Sequence, residues 1–79
     1  MSLKPLVEET IKLLVVEPDE VKVEESTDRG ATIFVVNVSP SDIGRVIGKD
    51  GRVISCIRQV IGAAGAKARI KTVVKVVTD

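Results

Sequence analysis

The chain has no histidine, tryptophan or tyrosine, and only one phenylalanine, one cysteine and one methionine among its 79 residues. The lack of histidine excludes an imidazole base, a Ser–His or Cys–His nucleophile and the common zinc ligand sets. A lone cysteine excludes an internal disulfide and any thiolate cluster, which suits a reducing, intracellular compartment. No apolar run approaches the roughly 18 residues of a membrane span. Met1–Lys4 does not open like a signal peptide. A cytoplasmic chain with no membrane partner, no cofactor and no enzymatic activity is therefore expected.

What is present is 44% hydrophobic and 29% charged. That allows one domain with a lean core, since a chain this short buries only about 60% of the surface it exposes when unfolded. The net charge of +1 hides an asymmetry. Residues 1–39 carry four basic and eight acidic side chains, net −4, and residues 40–79 carry eight basic and three acidic, net +5. The second half is thus the candidate for contact with a polyanion.

Leu3, Leu6, Val7, Ile11 and Leu14 recur at helical spacing, which predicts an amphipathic helix from Leu3 to Val16, ended by Glu17-Pro18-Asp19. Val21 and Val23 alternate with charged neighbours as a short strand. Ser26-Thr27-Asp28-Arg29-Gly30 is a turn cluster, with Gly30 available for positive φ. Ala31–Val38 is apolar enough for a strand flanked on both edges. Ser39 or Ser41 offers a helix N-cap, ahead of a short helix over Ile43–Ile47. A second helix begins near Arg52. Its apolar residues Val53, Ile54, Ile57, Val60, Ile61 and Ala64 span an arc of roughly 120°, and Gly62 and Gly65 are expected to fray or stop it. Cys56, on the flank of that arc, reads as a small packing residue. Arg69–Val77 closes the chain as a strand. The order α-β-β-α-α-β predicts an α+β fold, with helices on one face of a three-stranded mixed sheet. Ile47, Ile54, Ile57 and Phe34 are expected to share one core with Leu14 and Val74.

The segment Val46-Ile47-Gly48-Lys49-Asp50-Gly51-Arg52-Val53-Ile54 carries the functional signal. Two glycines between short helices permit a tight turn without a Cβ to block a ligand backbone. The turn leads into a helix start, where backbone N–H groups and the dipole favour anions. Arg45, Lys49 and Arg52 add positive charge, and the aliphatic flanks suggest a narrow apolar trough. Asp50 partly cancels Lys49. A P-loop is excluded, because Gly44 and Gly48 are separated by three residues rather than four and Asp50 stands where Ser or Thr would hold Mg²⁺.

The segment resembles the KH-domain signature V-I-G-x-x-G-x-x-I, matched by Val46, Ile47, Gly48, Gly51 and Ile54. The resemblance covers essentially the whole chain, and the element order is that of the type II KH arrangement. Its length is similar to that of the single-domain, KhpA-type bacterial proteins. The resemblance implies one KH domain over residues 1–79 with its GXXG loop at 48–51. It implies broad, chaperone-like binding of single-stranded RNA, the loop clamping the phosphate backbone. It also implies pairing as a homodimer, or with a larger KH-containing protein of the KhpB type. The site residues it implies are Arg45, Val46, Ile47, Gly48, Lys49, Asp50, Gly51, Arg52 and Ile54.

Arg58, Lys71 and Lys75 read instead as solvated surface, and Phe34 as core rather than a stacking platform. A second class of function remains open: a KH-fold module that serves protein interaction or dimerisation with little RNA binding. Apolar surface for it would come from Ile33, Val35, Val73 and Val77 on the uncovered sheet face, or from Val60 and Ile61 near the end of the second helix.

Overall fold

The computed structural model describes residues 2–78. Met1 and Asp79, the two ends of the expected domain, lie outside the described residues. The elements are α1 (Lys4–Lys12), β1 (Lys22–Asp28), β2 (Ala31–Asn37), α2 (Ile43–Ile47), α3 (Arg52–Lys67) and β3 (Lys71–Val76). Short 3₁₀ turns occupy Pro18–Glu20, Pro40–Asp42 and Lys49–Gly51. This is the expected α-β-β-α-α-β order. β2 is the central strand, antiparallel to β1 and parallel to β3. A parallel neighbour needs a long crossover, which α2 and α3 provide.

Strand register sets the core. Val23 faces Val36, and Phe34 faces Val74. These four are buried beneath the helices with Val7 and Ile11 of α1, Val46 of α2, and Ile54, Ile57 and Ile61 of α3. Ile47 and Leu14 pack against the same cluster while partly exposed. The expected common core is therefore present, and Phe34 at its centre is fully buried.

Several boundaries differ from the sequence expectation. α1 ends at Lys12, not Val16. The chain turns at Leu14, whose N–H bonds to Ile11 O at 3.0 Å. The N–H groups of Val16 and Glu17 then donate to the Asp42 carboxylate at 3.1 and 3.0 Å. A carboxylate 25 and 26 residues away thus takes over from the helix ladder. β1 continues through Ser26, Thr27 and Asp28, which pair with Ile33, Thr32 and Ala31. The turn shrinks to Arg29 and Gly30, at φ 52° and 80°, the positive pair that a two-residue type I′ hairpin requires. Ser39 and Ser41 cap no helix through their side chains; their hydroxyls lie 3.1 Å from each other.

Gly62 and Gly65 do not end α3, which continues to Lys67. Gly65 is buried, and a Cβ there would lie 2.6 Å from Thr72 Cγ2 and 2.8 Å from Ile70 O. Its role is close approach of α3 to β3. The helix stops two residues later, at Lys67, in a Schellman closure. Ile70 N–H bonds to Gly65 O at 2.7 Å and Arg69 N–H to Ala66 O at 3.0 Å, with Arg69 left-handed at φ 60°. β3 accordingly begins at Lys71 rather than Arg69.

The sheet face away from the helices carries three rows that cross all three strands, Glu24-Val35-Lys75, Ser26-Ile33-Val73 and Asp28-Ala31-Lys71, and the pair Lys22-Asn37 at one end. Its centre is half-buried and aliphatic, its β1 side mixed with Lys22, Glu24 and Asp28, and its β3 side basic with Lys71 and Lys75.

Candidate nucleic-acid interface

The loop between α2 and α3 is built from its backbone. Gly48 ends α2 at φ 77° and ψ 174°, its N–H bonded to Gly44 O at 2.8 Å. A Cβ at Gly48 would collide with the Val53 side chain and lie 2.9 Å from Val53 N. The two helices can meet at this angle only because residue 48 has no side chain. Asp50 (φ 57°, ψ 26°) and Gly51 (φ 74°, ψ 15°) then take consecutive left-handed conformations. Aspartate tolerates this better than most residues. At Gly51 a Cβ would meet only Ile54 Cγ2, at 3.9 Å. That side of the loop is open, and a ligand backbone can approach where a side chain would otherwise stand.

α3 starts here with no side-chain cap and no acidic residue in its first turn. No side chain of the 16-residue helix itself neutralises its positive end, and the carboxylate beside it is Asp50, in the turn before the N-cap. The N–H groups of Gly51 and Arg52 are already used by the carbonyls of Gly48 and Lys49. What the loop presents outward is the uncapped helix start with the exposed side chains of Lys49, Asp50 and Arg52. Among the described residues none of these three forms an ion pair.

The fold thus brings Gly48, Lys49, Asp50, Gly51 and Arg52 into one exposed turn. Arg45 is exposed nearby but turned backward. Its Nε lies 3.8 Å from Asp42 Oδ1, and its Nη1 donates to Ser41 O at 3.5 Å. Val46 is completely buried and Ile54 only 7% exposed. Their work is to hold the loop from beneath, and Ile47, partly exposed, flanks it. Ile61 is likewise fully buried, which removes it from the candidate interaction surface, whereas Val60 is 54% exposed. Cys56 is exposed rather than packed.

Two residues of consequence escape sequence reasoning. Asp42 looks like part of a strand-breaking turn, yet it is fully buried. It bridges the start of α2 to the chain after α1. Arg58 looks like solvated helix surface, yet its Nε donates to Val74 O of β3 at 3.2 Å. It overhangs an open groove of about 360 Å³ lined by Arg58, Thr72, Val73, Val74 and Lys75. Neither partner is close in sequence, and no periodicity carries a pairing across 16 or 25 residues. Among the described residues no cluster of metal-ligating side chains occurs, and no helix is long and apolar enough to cross a membrane.

A helix-turn-helix closed by an open GXXG turn, laid on a β-β-α-α-β mixed sheet, defines a type II KH fold. The sequence profile of the family described as KhpA/KhpB, KH domain, matches residues 4–76. The chain is 44% identical over 75 residues to the RNA-binding protein KhpA of Clostridium acetobutylicum, covering 95% of this chain and all of that protein. It is 43% identical over 75 residues to the protein of the same name from Clostridium perfringens, with the same coverage. The KhpA of Aquifex aeolicus is 35% identical over 95% of each chain. The chain belongs to the KhpA/KhpB KH-domain family.

Proposed function

We propose that this protein is a non-catalytic binder of single-stranded RNA in the cytoplasm and that the turn at 48–51 holds the phosphate backbone. The observation that carries the reading is the open turn itself. Gly51 leaves room for a backbone, the start of α3 is uncapped, and Lys49 and Arg52 stand exposed beside it. Relatives of similar length are named RNA-binding proteins, which supports the same reading. Phosphate oxygens would face Lys49 and the helix start. Bases would leave the loop past Ile47, with Val46 and Ile54 supporting it from below.

The test is a fluorescence-anisotropy titration of short single-stranded RNA with the native chain and Lys49→Asp. The substitution places a second carboxylate beside Asp50 at the anion site. Melting should be unchanged within about 0.5 kcal/mol, because the position is exposed. Affinity should fall about tenfold or more, equivalent to roughly 1.4 kcal/mol. The native affinity should weaken with salt at a log–log slope of about −1.5 to −2, as for two or three phosphate contacts on a single strand. Equal affinity of the two proteins would make the turn a structural corner only.

Pairing with a second KH chain, its own copy or a KhpB-type partner, is the other half of the proposal. It would use apolar surface left over once the core is complete: Ile33, Val35 and Val73 on the open sheet face, or Val60 on α3. Added burial stabilises a small domain by mass action. Sedimentation equilibrium at high concentration, alone and with a KhpB-type protein, should show a dimer; monomer under both conditions would remove this half.

A further inference from the structure

The open face of the sheet combines an aliphatic centre with charge on both flanks. Ile33, Val35 and Val73 are only half-buried there, and no helix covers them. Glu24 and Asp28 of β1 stand exposed on one side, Lys71 and Lys75 of β3 on the other. Row by row the signs oppose: Glu24 and Lys75 flank Val35, and Asp28 and Lys71 flank Ala31. The two edges of the sheet are poorer places for a partner strand. At the β3 edge Arg58 Nε occupies the Val74 carbonyl, and a charged side chain so placed blunts an edge. At the other edge, a second β1 paired antiparallel about the middle of the strand would set Glu25 against Glu25, like charges directly opposite.

The row pattern complements itself in one orientation and not in the other. Sheets pack face to face about 10 Å apart, with their strands aligned to within about 30°. Two copies of this face can be aligned by a two-fold axis that runs along β2 or by one that runs across the strands. The axis across the strands lays β1 on β1 and β3 on β3 and reverses the order of the rows. Glu24 then faces Asp28 of the second copy, and Lys75 faces its Lys71. The axis along β2 keeps each row against itself and lays β1 over β3. Glu24 then faces Lys75 and Asp28 faces Lys71, each pair formed twice, while Ile33 and Val35 meet their own copies at the centre. Lys22 meets no lysine, because both lysines of β3 stand in other rows.

We propose that the open sheet face is where a second copy of this chain docks, with the two-fold axis along β2 and with Glu24–Lys75 and Asp28–Lys71 pairs as its rim. This rests on the pairing half of the reading above and commits it to one face, one partner and one orientation. The aliphatic centre supplies the buried area, and the rim charges fix the orientation. The helices lie on the outer sides of such a dimer, so both glycine turns stay open to RNA. Both turns sit at the same end, because the strands of the two copies run the same way.

Sedimentation equilibrium at physiological salt compares the native chain with Glu24→Lys, Lys75→Glu, the two combined in one chain, and Val60→Asp on α3. All three positions are exposed, so the variants should melt with the native chain. Either single charge reversal sets like charges together twice and should weaken dimerisation about tenfold or more. The combined variant restores opposite charges with their places exchanged and should dimerise within about threefold of native. Val60→Asp should leave the dimer unchanged. A dimer that withstands or is strengthened by either single reversal, or a combined variant as weak as the single ones, overturns the proposal and leaves pairing itself standing. Loss of the dimer with Val60→Asp alone also overturns it and moves the pairing to α3. A native chain that stays monomeric at high concentration overturns the pairing reading and the proposal together.

Discussion

Replacing Asp42 with alanine should lower the stability of the domain by about 2–3 kcal/mol, the expected cost of removing hydrogen bonds to a charged acceptor and leaving two donors unpaired. The Asp42 side chain is buried and accepts from Val16 and Glu17 N–H at 3.1 and 3.0 Å. Among the described residues no other side chain holds the segment after α1 against the start of α2 in this way. Arg45 Nε, at 3.8 Å, contributes little, since it is half in solvent. Asparagine keeps one acceptor but turns its amide donor toward the second backbone N–H, so Asp42→Asn should lose roughly half as much. In a domain of this size the alanine variant should melt roughly 15 °C lower. Urea titration of both variants is the measurement. A loss below about 1 kcal/mol for alanine would show that water replaces the carboxylate at both amides.

Two glycines of α3, three residues apart, should respond to alanine with opposite signs. At Gly65 the added methyl would sit 2.6 Å from Thr72 Cγ2 and 2.8 Å from Ile70 O. The threonine methyl can shift a little. The carbonyl cannot, because it belongs to the backbone that leads from the helix closure into β3. Gly65→Ala should therefore cost about 2 kcal/mol, as overpacking of a tight helix–sheet contact does. At Gly62 nothing lies within 4 Å of the same methyl. Gly62→Ala should gain about 0.5–1 kcal/mol, through helix propensity and a less free unfolded chain. Thermal melts of the two variants decide it. A gain at both sites would mean that α3 slides on β3 to admit the methyl, which would also move Arg58 relative to Val74.

The elements with strong periodicity were legible from the residues. The apolar arc of α3 and the alternation in β3 carry their own burial pattern, so α3 was found from its start at Arg52 and the core of Phe34, Ile54, Ile57 and Val74 followed. The GXXG turn was legible for a related reason. Glycines at 48 and 51 answer local demands, a close approach to Val53 and a left-handed backbone, and local demands are written in local sequence. Boundaries governed by distant partners were not legible. α1 stops early because Asp42 competes for its chain end, and β1 runs on because its hairpin partner continues the ladder. Gly65 looked like a helix breaker because propensity counts only what glycine costs, and not what a methyl would strike.

The sequence alone thus determined the order of elements, the core residues, the exposed turn and the exclusion of histidine, zinc and disulfide chemistry. Each of these depends on composition or on contacts within a few residues. Tertiary structure alone decided that Val46 and Ile61 are interior rather than surface, that Arg45 turns away from the loop, and that Asp42 and Arg58 have backbone partners. Those outcomes rest on which side chains meet after the crossover from β2 to β3 has brought α3 onto the sheet. A contact between residues 16 or 26 positions apart leaves no periodic mark on either of them.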